Sequence, residues 1–244
     1  MPLNPQPAVS PRTAVAGALV VGAVAGLVAA LFLTISAEPS IEEAIRIEQA
    51  ADHGDEHADE VVSRDVQRGV GLFGAYAVSG AGFGLLFGFA FVAARRSQPD
   101  PFRRALVCGA ALAGAMTASP WLKYPPNPPA VGDPDTLGRR QLLYVLLIVL
   151  TAAVVLGVAW LSRRLQAWPE PRRVAAVVAA LAVALLAVYA VLPPAPDAVT
   201  VPATLVWRFR LASLGGNLVL WTVLTLGFGL WVSERKRVAE AVAA

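Results

Sequence analysis

Long apolar runs separated by short polar ones set the plan of this chain. Five runs are long enough to cross a bilayer as helices: Ala14 to Ser36, Gly69 to Ala94, Gln141 to Ser162, Val174 to Leu192 and Leu211 to Val232. About 20 mostly apolar residues cover a hydrocarbon core of roughly 30 Å, and only a closed hydrogen-bond ladder can sit in lipid. A sixth run, Ala105 to Pro120, has 16 residues, which at about 1.5 Å each reach about 24 Å. It reads as a tightly fitted crossing or a re-entrant element. The expected fold is an all-α integral membrane protein, a six-helix transmembrane bundle whose third helix is short. One membrane domain spans residues 1–244, with helices at 14–36, 69–94, 105–120, 141–162, 174–192 and 211–232.

Composition agrees with the pattern. Hydrophobic residues make up 57% of the chain and charged ones 15%, against roughly 25% charged in a typical soluble domain. The first run is 23 residues long and almost wholly apolar, too long for the core of a cleaved secretory signal, which has roughly 7 to 15. It is read as a retained helix. Six crossings with an internal N-terminus leave twelve Lys and Arg inside and eight outside, whereas five crossings leave ten and ten. The positive-inside rule therefore favours six, with both termini cytoplasmic and with loops 37–68, 121–140 and 193–210 outside.

Charge is unevenly spread. Residues 37 to 69 hold ten of the seventeen acidic residues and both histidines, and with three arginines they net −7, while the rest of the chain nets +10. Within this acidic outer loop, 37–68, Ser40 and Glu43 match a capping box, so a short amphipathic helix is expected after Pro39 with Ile41, Ala44 and Ile45 on one face. His53 and His57 stand four apart and would share a helix face. With Asp52, Asp55 and Glu56 they form a candidate divalent-metal site, since imidazole suits nickel, copper, zinc and cobalt. Two histidines do not complete a ligand shell, and Gly54 weakens the helix that would pair them, so a solvated linker and a proton sensor stand beside that reading.

Residues 120 to 136 carry six prolines, which fix φ, remove amide donors and predict a stiff extended connection within the proline-rich outer loop 121–140. Trp121 and Tyr124 fit an interfacial aromatic belt, and Lys123, Arg139 and Arg140 fit snorkelling anchors. Asp133 before Pro134 reads as a helix cap, with metal binding by Asp133 and Asp135 as the alternative. Glu38, Asn127, Asp133 and Asp135 are candidates for an ion entry path. Ionisable groups are nearly absent from mid-membrane positions, where carriers usually keep them. Arg68, Arg208 and Arg210 enter helices, and Asn217 is expected to bond a neighbouring helix.

Glycines four apart, Gly22 and Gly26 in the first run and Gly80, Gly84 and Gly88 in the second, predict close helix contacts. Gly69, Gly71 and Gly74 match a dinucleotide-binding pattern, but no strand precedes them and no acid follows about 20 residues on. The single cysteine, Cys108, excludes an intrachain disulfide and is read as packing. The outer loops offer no nucleophile with a paired base, so an enzyme is not expected.

Several segments together resemble a known family. Glu38-Pro39 through Ile41 and Ala44, Gln67-Arg68-Gly69, and above all Leu122-Lys123-Tyr124-Pro125 with Asn127-Pro128-Pro129 and Gly132-Asp133-Pro134 look like the CbtA family of predicted bacterial cobalt transporter subunits. The resemblance covers nearly the whole chain. It implies cobalt uptake tied to cobalamin synthesis and a small histidine-bearing partner of the CbtB type. The combined expectation is a multi-pass subunit of the bacterial inner membrane that takes up Co(2+), with Ni(2+) second, binds no permanent cofactor and no nucleic acid, contacts lipid, and is a candidate homo-oligomer. A non-transporting scaffold or metal-sensing accessory is the alternative.

Overall fold

The computed structural model describes residues 9–51, 63–129, 131, 132, 134–194 and 201–243. Six helical runs are long and apolar enough to cross a membrane. They are α1 (Pro11–Ser36), α3 (Arg64–Arg96), α4 (Pro101–Lys123), α5 (Leu137–Arg164), α6 (Glu170–Val191) and α7 (Ala203–Ala243), with α2 (Glu38–Ala51) following α1 directly. No strand occurs among the described residues. The protein is an all-helical, six-span membrane protein.

Helix ends depart most from expectation. α4 runs 23 residues, longer at both ends than the run 105–120. Asp100 caps its start, its Oδ1 accepting from the Arg103 amide at 2.7 Å, and Pro101 sits in the first turn, where a missing amide costs nothing. Pro120 lies inside the helix, where the proline ring would break the usual ladder. A five-residue π-helical stretch, Gly114–Ala118, absorbs it, with the Ser119 amide reaching back to the Gly114 carbonyl. α2 begins at Glu38 with Ser40 already in its first turn and buried, so Ser40 is not its cap. The amides of Ser40 and Ile41 donate instead to the Ala37 carbonyl.

The described residues divide into two compact units. The first holds α1, α2 to Glu42, α3, α4 to Ala110 and α7 from Leu211. Its tightest packing is α1 antiparallel on α3: a Cβ on Gly22 would stand 2.3 Å from the Gly80 carbonyl oxygen, and one on Gly84 2.2 Å from that of Ala18. Only glycine allows this approach, and the predicted glycine faces are the contact faces. Phe228 of α7 sits fully buried edge-on to Phe87 and Phe91 of α3, at 5.3 and 4.9 Å between ring centres. Cys108 is buried as expected. Asn217 donates to the Ser213 carbonyl of its own helix at 2.9 Å, correcting the expected bond to a neighbour; the carbonyl one turn back is the nearest acceptor.

The second unit holds α2 from Glu43, α4 from Ala111, α5, α6 and α7 to Arg210. α6 buries none of its residues. Ala44 joins Val131, Val201, Leu205 and Val206 in a small core with Ile47 against it.

Candidate functional site

Of the residues singled out from the sequence, Asp52, His53, Asp55, Glu56, His57 and Asp133 lie outside the described residues. Glu38 belongs to the first unit, and Asn127 and Asp135 to the second. Among the described residues no group of three or more His, Cys, Asp or Glu is placed to hold a metal ion.

Glu38 opens α2, and its side chain is only 13% exposed. Partial burial of a carboxylate requires a partner, and Arg64, opening α3, supplies it through a direct ion pair. One turn further along both helices, Arg68 faces Glu42 at 3.6 Å and Asp65 at 2.6 Å. Two arginine rungs thus tie the start of α2 to the entry of α3. Beyond them the chain kinks at Gly69, whose φ of −98° and ψ of −109° are not helical, inside the π-helical turn Gln67–Gly71. Ile41 packs with Leu33, Ala37, Ala212 and Tyr76 and holds this corner down. The acids at the edge of the anionic segment are therefore spoken for by arginines. Arg64 carried no sequence signal, since its partner is distant along the chain.

In the second unit, the proline-rich connection is pinned by contacts its sequence does not announce. Arg210 donates from Nε to the Pro126 carbonyl at 3.3 Å and from a terminal nitrogen to Asn127 Oδ1 at 2.7 Å. The Arg210 carbonyl accepts from Trp121 Nε1 at 3.1 Å, and the Trp121 ring leans on Trp207. Asn127 is thus a partner of arginine, and Arg210 is more than a terminal anchor. Lys123, read as a snorkelling anchor, instead donates to the Tyr189 carbonyl at 2.9 Å, near the end of α6 where carbonyls lack helical partners. Tyr124 donates to the Pro193 carbonyl at 2.6 Å. Burial pushes the Tyr124 hydroxyl above its usual pKa, against a smaller opposing effect of Arg139, so it stays a donor at neutral pH.

Below these, the Tyr189 hydroxyl donates to the Ser119 carbonyl at 2.8 Å, and Ser119 Oγ meets Thr151 Oγ1 at 3.0 Å. Thr151 in turn donates to the Leu147 carbonyl at 2.8 Å. The hydroxyls link α4, α5 and α6 with every proton in use. Gly132, at φ 106°, makes the turn that other residues rarely adopt. Asp135 lies exposed in the 3₁₀ turn Pro134–Thr136 that leads into α5. On α2, Arg208 reaches Glu43 at 3.1 Å.

Chemically, both segments are polar structures at helix ends whose ion pairs and hydrogen bonds hold helices and loops in register, with the buried Arg64 Nε left without a partner among the described residues. No curated protein and no solved structure matches the chain. A family described as probable cobalt transporter subunit (CbtA) matches residues 12–233. Six apolar helices fit a transporter subunit. With the match running from α1 into α7, the chain belongs to the CbtA family.

Proposed function

We propose that this protein is the membrane subunit of an uptake system for a divalent transition metal, cobalt first and nickel second. The observation that carries the reading is the family match over residues 12–233. The ten acids and two histidines gathered between the first two spans support it further. The protein sits in the bacterial inner membrane with both termini cytoplasmic, a topology supported by the excess of Lys and Arg assigned inside. His53 and His57, helped by Asp52, Asp55 and Glu56, collect the ion outside. Glu38 lines its entry, exchanging Arg64 for the passing cation, and Asn127, Asp133 and Asp135 are further candidates for contact with the ion. A small histidine-bearing subunit of the CbtB type and further copies of this chain are its expected partners.

The test is cobalt-57 uptake by cells carrying His53→Ala/His57→Ala. A fall of at least about fivefold at limiting cobalt is expected, and unchanged uptake sinks the capture role. A second reading, a scaffold that moves no metal itself, draws support from the absence of acid or histidine at mid-depth in any span. Purified chain in liposomes separates the two: cobalt accumulation by the chain alone excludes the scaffold.

A further inference from the structure

We infer that one end of the first unit is a docking surface for anionic phospholipid headgroups. The antiparallel packing of α1 on α3 puts the start of α1 beside the end of α3, where Arg95 and Arg96 close the helix. A short turn brings the chain back into α4 with Arg103 and Arg104. α7 arrives at the same end through Phe228 against Phe91, and through Gly229, where a Cβ would stand 3.1 Å from Phe102. It then continues to Arg235, Lys236 and Arg237.

Some of these cations already have partners. Arg104 donates to the carbonyls of Gln98 and Pro99 at 2.6 and 3.0 Å and lies 4.7 Å over the Phe91 ring. Lys236 and Arg237 face Glu240 and Glu234 of their own helix at 3.7 and 3.6 Å, and Asp100 is engaged in capping α4. Arg95, Arg96, Arg103 and Arg235 remain. All four are exposed, and none meets a carboxylate at ion-pair distance among the described residues.

Below them the packed interior is aromatic. Phe91, Phe228 and Trp231 follow one another at 4.9 and 5.5 Å, with Arg104 over the first ring and Arg235 over the last at 5.3 Å. The cations therefore sit where apolar spans end, the depth of the lipid phosphates, on a stiff platform. Clusters of Lys and Arg immediately beside a membrane span attract anionic headgroups in membrane proteins generally. The inference is independent of the cargo.

The experiment uses the full chain purified in detergent and native mass spectrometry with phosphatidylglycerol or phosphatidylcholine of identical acyl chains. Wild type should retain phosphatidylglycerol at least about tenfold better, since each cation near an anionic surface contributes on the order of fivefold. R95Q/R96Q/R103Q/R235Q should lose that preference, and the four-lysine counterpart should keep it. R163Q/R164Q/R172Q/R173Q, the same charge change in the second unit, should retain it. Should the four-glutamine chain fail to fold, R95Q/R96Q and R103Q/R235Q are read separately, each losing part of the preference. Equal retention of both lipids by wild type, equal loss in the second-unit control, or displacement by millimolar inorganic phosphate would overturn the inference.

Discussion

Replacing Gly26 with alanine adds one methyl group at the closest point between α1 and α3. That Cβ would stand 1.9 Å from the Tyr76 carbonyl oxygen and 2.7 Å from its carbon. Ordinary contact begins at 3.4 Å, so the helices must part locally by about 1.5 Å. The obstacle is backbone, which has no rotamer by which to move aside. Overpacking a well-packed core costs about 1 to 3 kcal/mol, and a clash that displaces a whole helix belongs at the upper end, about 3 kcal/mol. For a chain of this size that lowers the melting temperature by about 6 to 12 °C. The assay is thermal unfolding of the purified protein in detergent, read by tryptophan fluorescence. Gly74→Ala is the control, because a Cβ there meets nothing within 4 Å and alanine favours helix by about 1 kcal/mol. Gly22→Ala and Gly80→Ala push against each other's carbonyls, each at 2.3 Å. Their double variant should therefore lose less than the two single losses combined. If Gly26→Ala melts with wild type, or Gly74→Ala falls as far, the close approach is not what holds these helices together.

Two further outcomes test the second unit. Tyr124→Phe removes the donor to the Pro193 carbonyl and should cost about 1 kcal/mol near neutral pH. The folded hydroxyl titrates above its unfolded value of 10.0. Its contribution is therefore whole below about pH 10 and lost as pH rises through the folded value, so melting curves of variant and wild type should converge in strong base. Arg210→Lys keeps the charge but cannot reach both the Pro126 carbonyl and Asn127. Limited proteolysis between residues 121 and 132 should accelerate several-fold, and an unchanged cleavage rate would show that the connection is stiff through its prolines alone.

The six spans were legible because lipid imposes one requirement, length of apolar helix, that hydropathy reads directly. Polar helix ends escaped it. Arg64 to Arg68 extend α3 below the apolar run because Glu38 and Glu42 compensate their charge. α4 runs past Pro120 because a π-helical stretch rearranges its bonding, and neither effect has a local signature. The glycine contacts were legible because small residues at fixed spacing have few other uses. The clamps on the proline-rich connection were not, since Trp121 and Arg210 stand 89 residues apart. Hydrogen bonds of that range leave only residue types that also suit a membrane interface.

The arginine rungs at the edge of the anionic segment alter what that segment can select. Glu38, Glu42, Glu43 and Asp65 each face an arginine, yet residues 37 to 69 still net −7. A potential enriches ions by a Boltzmann factor, and the factor for a doubly charged ion is the square of that for a singly charged one. In the proposed capture role the segment would sort cations by valence, and high salt would flatten the sorting because screening shortens its reach to about 8 Å at physiological strength. Valence does not separate cobalt from the far more abundant magnesium. In that proposed role, discrimination between elements of equal charge would fall to nitrogen donors, and this chain has two imidazoles to offer.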